Sequence, residues 1–198
     1  KATGLIVVYA GDPAEGEEVM RPLVEWGEPF LRMVQPMPYT AVQQMIDAGN
    51  PWGIHEYFKI DYLRELPDEA IDTALEQAAQ IVSPFTQVII APLGGALSRS
   101  DTSRMALEQP KVPWFYFYLA MWWEDADTER ERQHAWSFMD AMRPWAVDKA
   151  PPNFISEDEP AARLRHSFGE EKFARLQELK RRYDPDNVFA LNQNIPPA

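Results

Sequence analysis

The chain has 198 residues, 45% of them hydrophobic and 12% aromatic, which is enough for a sizeable buried core and too apolar for disorder. A formal net charge of −12 argues against nucleic acid, whose phosphates reward clustered Lys and Arg. With no cysteine there is no disulfide framework, thiolate metal site or cysteine nucleophile, and no 18-residue apolar run marks a membrane span.

In chain order, Thr3 to Tyr9 reads as a β-branched strand closed by the turn Gly11-Asp12-Pro13. From Pro13 to Trp26, Val19, Met20, Leu23 and Val24 recur at helical spacing among glutamates, as in an amphipathic helix over a sheet. Pro29 to Val34 suits a short strand, and Tyr39 to Ala48 a helix stopped by Gly49-Asn50-Pro51. Gly53 to Leu63 is a strand with Ile54, Phe58 and Ile60 on one face and His55, Tyr57, Lys59 and Asp61 on the other. A helix follows from about Asp68 to Val82, lined by Ile71, Ala74, Leu75, Ala78 and Val82, and then a strand from Phe85 to Ala91. Gly94-Gly95 marks a tight bend but lacks the longer glycine pattern and the lysine of a phosphate loop. Residues 98–112 read as a long loop.

Trp114 to Trp123 is the most aromatic stretch, a strand covered on both faces. Phe115, Phe117, Leu119 and Met121 suit a core beneath helices, whereas Trp114, Tyr116, Tyr118 and Trp122 carry phenols that suit a wet cleft or a second domain. Helices from about Asp127 to Met142, Glu157 to Phe168 and Glu170 to Tyr183 complete the pattern. The whole predicts an α/β (α+β) fold: a mainly antiparallel sheet with helices on one face and the other face open. His55, His134 and His166 are too scattered for a metal site, and the acidic runs Glu124 to Asp127 and Glu157 to Glu159 read as charges favouring helix N-termini. No metal is expected.

The last helix ends on Lys180-Arg181-Arg182, cations at the negative end of its dipole, and Asp184-Pro185 suits the start of a further helical turn. Asn192, Gln193 and Asn194 follow on an extended tail. Carboxamides both donate and accept, and so match a heterocycle edge carrying both kinds of group, such as the pyrimidine edge of a flavin. By residue chemistry alone, a polar tail bonded to its own domain is the commoner outcome.

The stretch from Arg175 to Pro196, with Tyr183-Asp184-Pro185-Asp186-Asn187 and Asn192-Gln193-Asn194-Ile195-Pro196 in it, resembles the C-terminal signature of the berberine-bridge-enzyme-like FAD-linked oxidoreductases. Weaker resemblance runs through Asn153-Phe154, Leu93-Gly94-Gly95-Ala96 and Phe58-Lys59-Ile60-Asp61-Tyr62-Leu63, covering the substrate-domain half of that family. It implies a substrate-binding domain at 1–150, a C-terminal segment at 151–198 that returns to an FAD-binding domain, and FAD contacts from Asn153, Asn192 and Asn194. The FAD-binding domain would lie upstream in the same polypeptide or on a separate chain. The implied reaction moves hydride from a small organic substrate to FAD, with oxygen as the final acceptor, and the piece alone would be inactive.

Such chemistry also needs a proton acceptor, for which a tyrosine serves if its pKa is lowered from about 10. The family usually has a tyrosine two positions before the asparagine matching Asn153, and in several members another just after it. Here the stretch is Pro151-Pro152-Asn153-Phe154, without either. Either the base lies elsewhere, with Tyr116 and Tyr118 the leading candidates and Tyr57 beside Lys59, or the chemistry needs no such base, or activity has been lost. A stand-alone α/β ligand-binding or interaction module is the other reading, in which the amide tail folds onto its own surface. A soluble, cytoplasmic chain is expected, with a signal upstream of Lys1 left open.

Overall fold

The computed structural model describes residues 1–108 and 111–198, so positions 109 and 110 of the expected 98–112 loop lie outside the described residues. Two compact units divide the chain at Trp52 and Gly53, a different place from the 150/151 boundary that the resemblance implies.

In the first unit, Asp12 caps helix α1 (Pro13–Val24), its carboxylate accepting from the Ala14 amide at 2.9 Å, with proline at the helix start. A second helix, α2, spans Tyr39–Gln44 and ends before Ala48, with a tighter turn at Asp47–Gly49. The expected strands at Thr3 to Tyr9 and Pro29 to Val34 do not form. A strand needs a hydrogen-bonded neighbour, and this unit offers helices only. Val19 and Leu23 of α1 consequently stay exposed instead of lying over a sheet.

In the second unit, β1 (His55–Leu63), β2 (Gln87–Pro92) and β3 (Trp114–Trp122) form an antiparallel sheet in the order β1-β3-β2. Lys59 stands opposite Tyr118 and Asp61 opposite Tyr116, while Val88 and Ile90 flank those tyrosines from the other side. Helices α3 (Asp68–Ala79) and α5 (Thr128–Met142) cover one face. There Ala70, Ala74, Ala135, Phe138 and Met142 bury Tyr57, Leu63, Tyr116, Tyr118, Ala120 and Trp122. Helix α3 turns Ala70 and Ala74 inward and leaves Ile71 and Leu75 of the expected apolar side exposed; it ends before Val82, which is exposed too.

The assignment of faces is therefore the reverse of the expected one. The phenol face lies beneath helices, because the polar flank of α5 offers a partner such as His134 to Tyr118. The phenylalanine face receives the C-terminal segment. Ile155, Leu164, Phe168 and Phe173, with Phe154 and Ile195, pack on Ile60, Phe115 and Phe117. Toward β2 this second face stays open, with Ile89 exposed and Phe117 and Leu119 half-buried.

A short helix α4 (Gly95–Arg99) opens the expected loop, the bend falling at Gly95 with φ 60°. Helices α6 (Ala161–Phe168) and α7 (Glu170–Tyr183) meet at Gly169, whose φ of 81° few other residues tolerate. The expected helical turn after Asp184 is a plain turn. Its carboxylate accepts from the Val188 amide at 2.8 Å and the Phe189 amide at 3.1 Å, while pairing with Lys180.

Candidate functional site

The three candidate tyrosines share a face but not a cleft. The Tyr57 hydroxyl donates to Asp158 at 2.6 Å and the Tyr118 hydroxyl lies 2.6 Å from His134 Nδ1. Tyr116 is fully buried against Phe138, with no hydrogen-bond partner for its hydroxyl. Burial raises the pKa of all three; Asp158 adds to the effect on Tyr57, Asp61 on Tyr116 and Glu131 on Tyr118. The lowered phenol that a tyrosine base needs is thus absent at Tyr57, Tyr116 and Tyr118. Lys59 does not supply it, because its ammonium, 4.7 Å from the Tyr57 ring centroid, is already paired with carboxylates.

Those carboxylates belong to a buried charge network along the outer edge of β1. Lys59 is fully buried, 4.0 Å from the centroid of Trp136, with Glu159 at 3.0 Å and Asp158 at 3.3 Å. Asp158 also takes Arg132 at 2.9 Å and the Trp136 indole N–H at 3.3 Å. Arg163 stands 2.7 Å from Glu159, 3.2 Å from Asp61 and 2.9 Å from Asp148, and donates to the Ile60 carbonyl at 2.6 Å. Burial pushes the Asp61 carboxyl up to about 6 against the pull of Arg163. Burial also raises Asp158, but the Tyr57 hydroxyl, Lys59 and Arg132 outweigh it and hold that carboxyl at about 2. The run Glu157 to Glu159 is therefore not a dipole ornament: α6 starts only at Ala161, and Asp158 and Glu159 reach back to the sheet. Lys59 and Asp61 on the polar face of β1 were the available signal for this network; Arg163 carried none.

The amides lie on the other side of this segment. Asn153 is exposed in a tight turn at Pro152–Phe154. Gln193 donates to the Ile155 carbonyl, Gln177 to the Pro196 carbonyl at 3.3 Å and Lys180 to the Phe189 carbonyl at 2.7 Å, which straps the tail back along α7. Of the flanking pair, Asn192 is exposed at φ 58°, and Asn194 is half-buried with an inward amide oxygen that accepts no hydrogen bond. The bond from Gln193 brings the tail beside the Asn153 turn. That turn ends in Phe154, whose ring meets Phe58 and Phe117 at centroid distances of 5.7 and 5.3 Å. The Asn153 turn thus packs through Phe154 on the second sheet face, with the amide tail bonded to the residue after it. Among the described residues no group of His, Asp and Glu could hold a metal ion, and no helix is long and apolar enough to cross a membrane.

The family described as berberine and berberine like matches residues 152–196. An uncharacterized FAD-linked oxidoreductase, YvdP of Bacillus subtilis, is 25% identical across 96% of this chain and 43% of its own length. Tetrahydroberberine oxidase of Berberis wilsoniae is also 25% identical, across 80% of this chain and 33% of its own. The solved structure of BBE-like 1 from Physcomitrella patens superposes with a TM-score of 0.78 at 17% identity, over 95% of this chain and 43% of that one. The chain thus spans less than half the length of these relatives. By sequence and by fold, the chain is related to the berberine-bridge-enzyme-like FAD-linked oxidoreductases, and residues 152–196 carry their berberine-like domain.

Proposed function

We propose that this chain forms the substrate wall and part of the cofactor rim of an FAD-dependent oxidoreductase, completed by an FAD-binding domain upstream or on a separate chain. FAD, when bound, accepts hydride from an organic substrate and passes the electrons to oxygen. The observation that carries the reading is the unpartnered amide oxygen of Asn194, beside the exposed amides of Asn192 and Asn153. A buried acceptor without a donor is costly, and a heterocycle edge bearing N–H and C=O groups matches these amides. Gln193 and Lys180 hold the tail in place. On this reading residues 151–198 return to the flavin-binding half. The buried tyrosines keep their protons and pack the domain.

The test is reconstitution with the FAD-loaded flavin-binding half of a relative. The wild-type chain is expected to shift the visible flavin bands and permit flavin reduction by substrate, with Asn194→Ala weakening the association at least about tenfold. A flavin spectrum that ignores the chain overturns the reading. The stand-alone module gains from one observation, the bond by which Gln193 folds onto its own domain; flavin indifference together with saturable binding of an apolar ligand would select it.

A further inference from the structure

The peptide that joins Ile155 to Ser156 is held at both of its polar groups. Its N–H donates to Glu159 Oε1 at 3.0 Å, and its C=O accepts from the Gln193 side chain. A trans peptide is a rigid plane whose N–H and C=O point opposite ways, so a tilt imposed at one is carried to the other. A carboxylate on the N–H also polarises the amide and makes its carbonyl a stronger acceptor.

Glu159 is itself fixed before it reaches that N–H. Its side chain is buried, with Oε1 also taking Lys59 Nζ at 3.0 Å and Oε2 standing 2.7 Å from Arg163 Nε. Ser156 and Glu159 have the spacing of a capping box, in which the glutamate reaches back to the serine N–H while the serine hydroxyl serves the first turn of a helix. Here α6 starts only at Ala161, and the Ser156 hydroxyl donates instead to the Phe58 carbonyl at 3.2 Å. The reach of Glu159 thus serves no helix end; across the peptide it grips lies the amide tail. We infer that Glu159 is a positioning residue: by fixing the tilt of the Ile155–Ser156 peptide it sets where Gln193 bonds, and with it the placement of Asn192 and Asn194 on either side. The inference deepens the reading above and rests on it only in counting those two amides as cofactor contacts.

Residue-resolved amide exchange on the whole chain, with no flavin present, tests it. Gln193→Ala leaves the buried charges untouched. Because coupling through one peptide is mutual, this variant should speed exchange of the Ser156 N–H about fivefold and leave the Lys149 N–H, which bonds Asp61, unchanged. Glu159→Ala should speed exchange of the Asn194 N–H, which bonds the Asn192 carbonyl, by about the same factor, and should add nothing once Gln193 is already replaced. Glu159→Gln keeps an acceptor for Ser156 but not the charge that faces Lys59 and Arg163, so it should restore the protection of Asn194 without restoring urea stability. Ser156 exchange indifferent to Gln193→Ala overturns the inference, whether or not the Glu159 variants fold. So does a gain in Asn194 exchange that α3 shares equally, or one that persists in Glu159→Gln, since the first is global loosening and the second is charge pairing alone. Flavin indifference in the reconstitution defeats the proposed function only.

Discussion

Tyr116 is the residue at which sequence and structure part most sharply. Its hydroxyl has no partner in a fully buried site, and an unsatisfied buried polar group costs about 1–3 kcal/mol. Tyr116→Phe is therefore expected to raise urea stability, by about 1 kcal/mol, where a catalytic role would make its chief effect a loss of turnover. Asp61 and Asp158 set opposing pH responses. Asp61 is raised from 3.8 to about 6, so its contribution is fully present below 3.8 and is lost as pH rises through about 6. Asp158 is lowered from 3.8 to about 2, so it stabilises above 3.8 and the gain is lost as pH falls toward about 2. Asp61→Asn should remove the first response, and urea midpoints should move in the variant's favour, relative to wild type, as pH rises from about 4 to about 7.

At the scale of elements, periodicity located β1, β3, α5 and α7 well, because long runs of alternating or helical spacing leave few other solutions. It could not say which face of β3 turns inward. Alternation groups Tyr116 with Tyr118 and Phe115 with Phe117, but the choice belongs to the helices that cover each set, whose polar flanks the strand does not encode. Thr3 to Tyr9 forms no strand for a related reason: strand character is local and pairing is not. At the site, carboxamide chemistry singles out Asn192 and Asn194 as candidates in the sequence, whereas Arg163 is hidden among ordinary helix residues and gains meaning only against Asp61, Glu159 and the Ile60 carbonyl. Removing one member of a buried ion pair costs about 3–5 kcal/mol, so Arg163→Ala should destabilise by at least about 3 kcal/mol in urea. Arg132→Ala, at a half-exposed position in the same network, should cost under about 1 kcal/mol.

Across the whole molecule, the apolar tail residues Val188, Phe189 and Leu191 are exposed, although Lys180 and Asp184 fix the backbone of the first two. If they meet the flavin-binding half, backbone hydrogen exchange at 188–194 should slow on reconstitution while exchange in α3 stays unchanged; equal rates with and without that half would count against a shared interface. The outer edge of β1 has a different history. Its partners Ser156 and Arg163 lie 98 to 103 positions further along the chain from Phe58, Ile60 and Asp61. At a ribosomal rate of about 5–20 residues per second, β1 waits roughly 5 to 20 s after its own synthesis before those residues exist. Until then its backbone edge and the buried Lys59 are open to other nascent chains, so the yield of folded protein should depend on chaperones that shield this strand during synthesis more than on the stability of the finished domain.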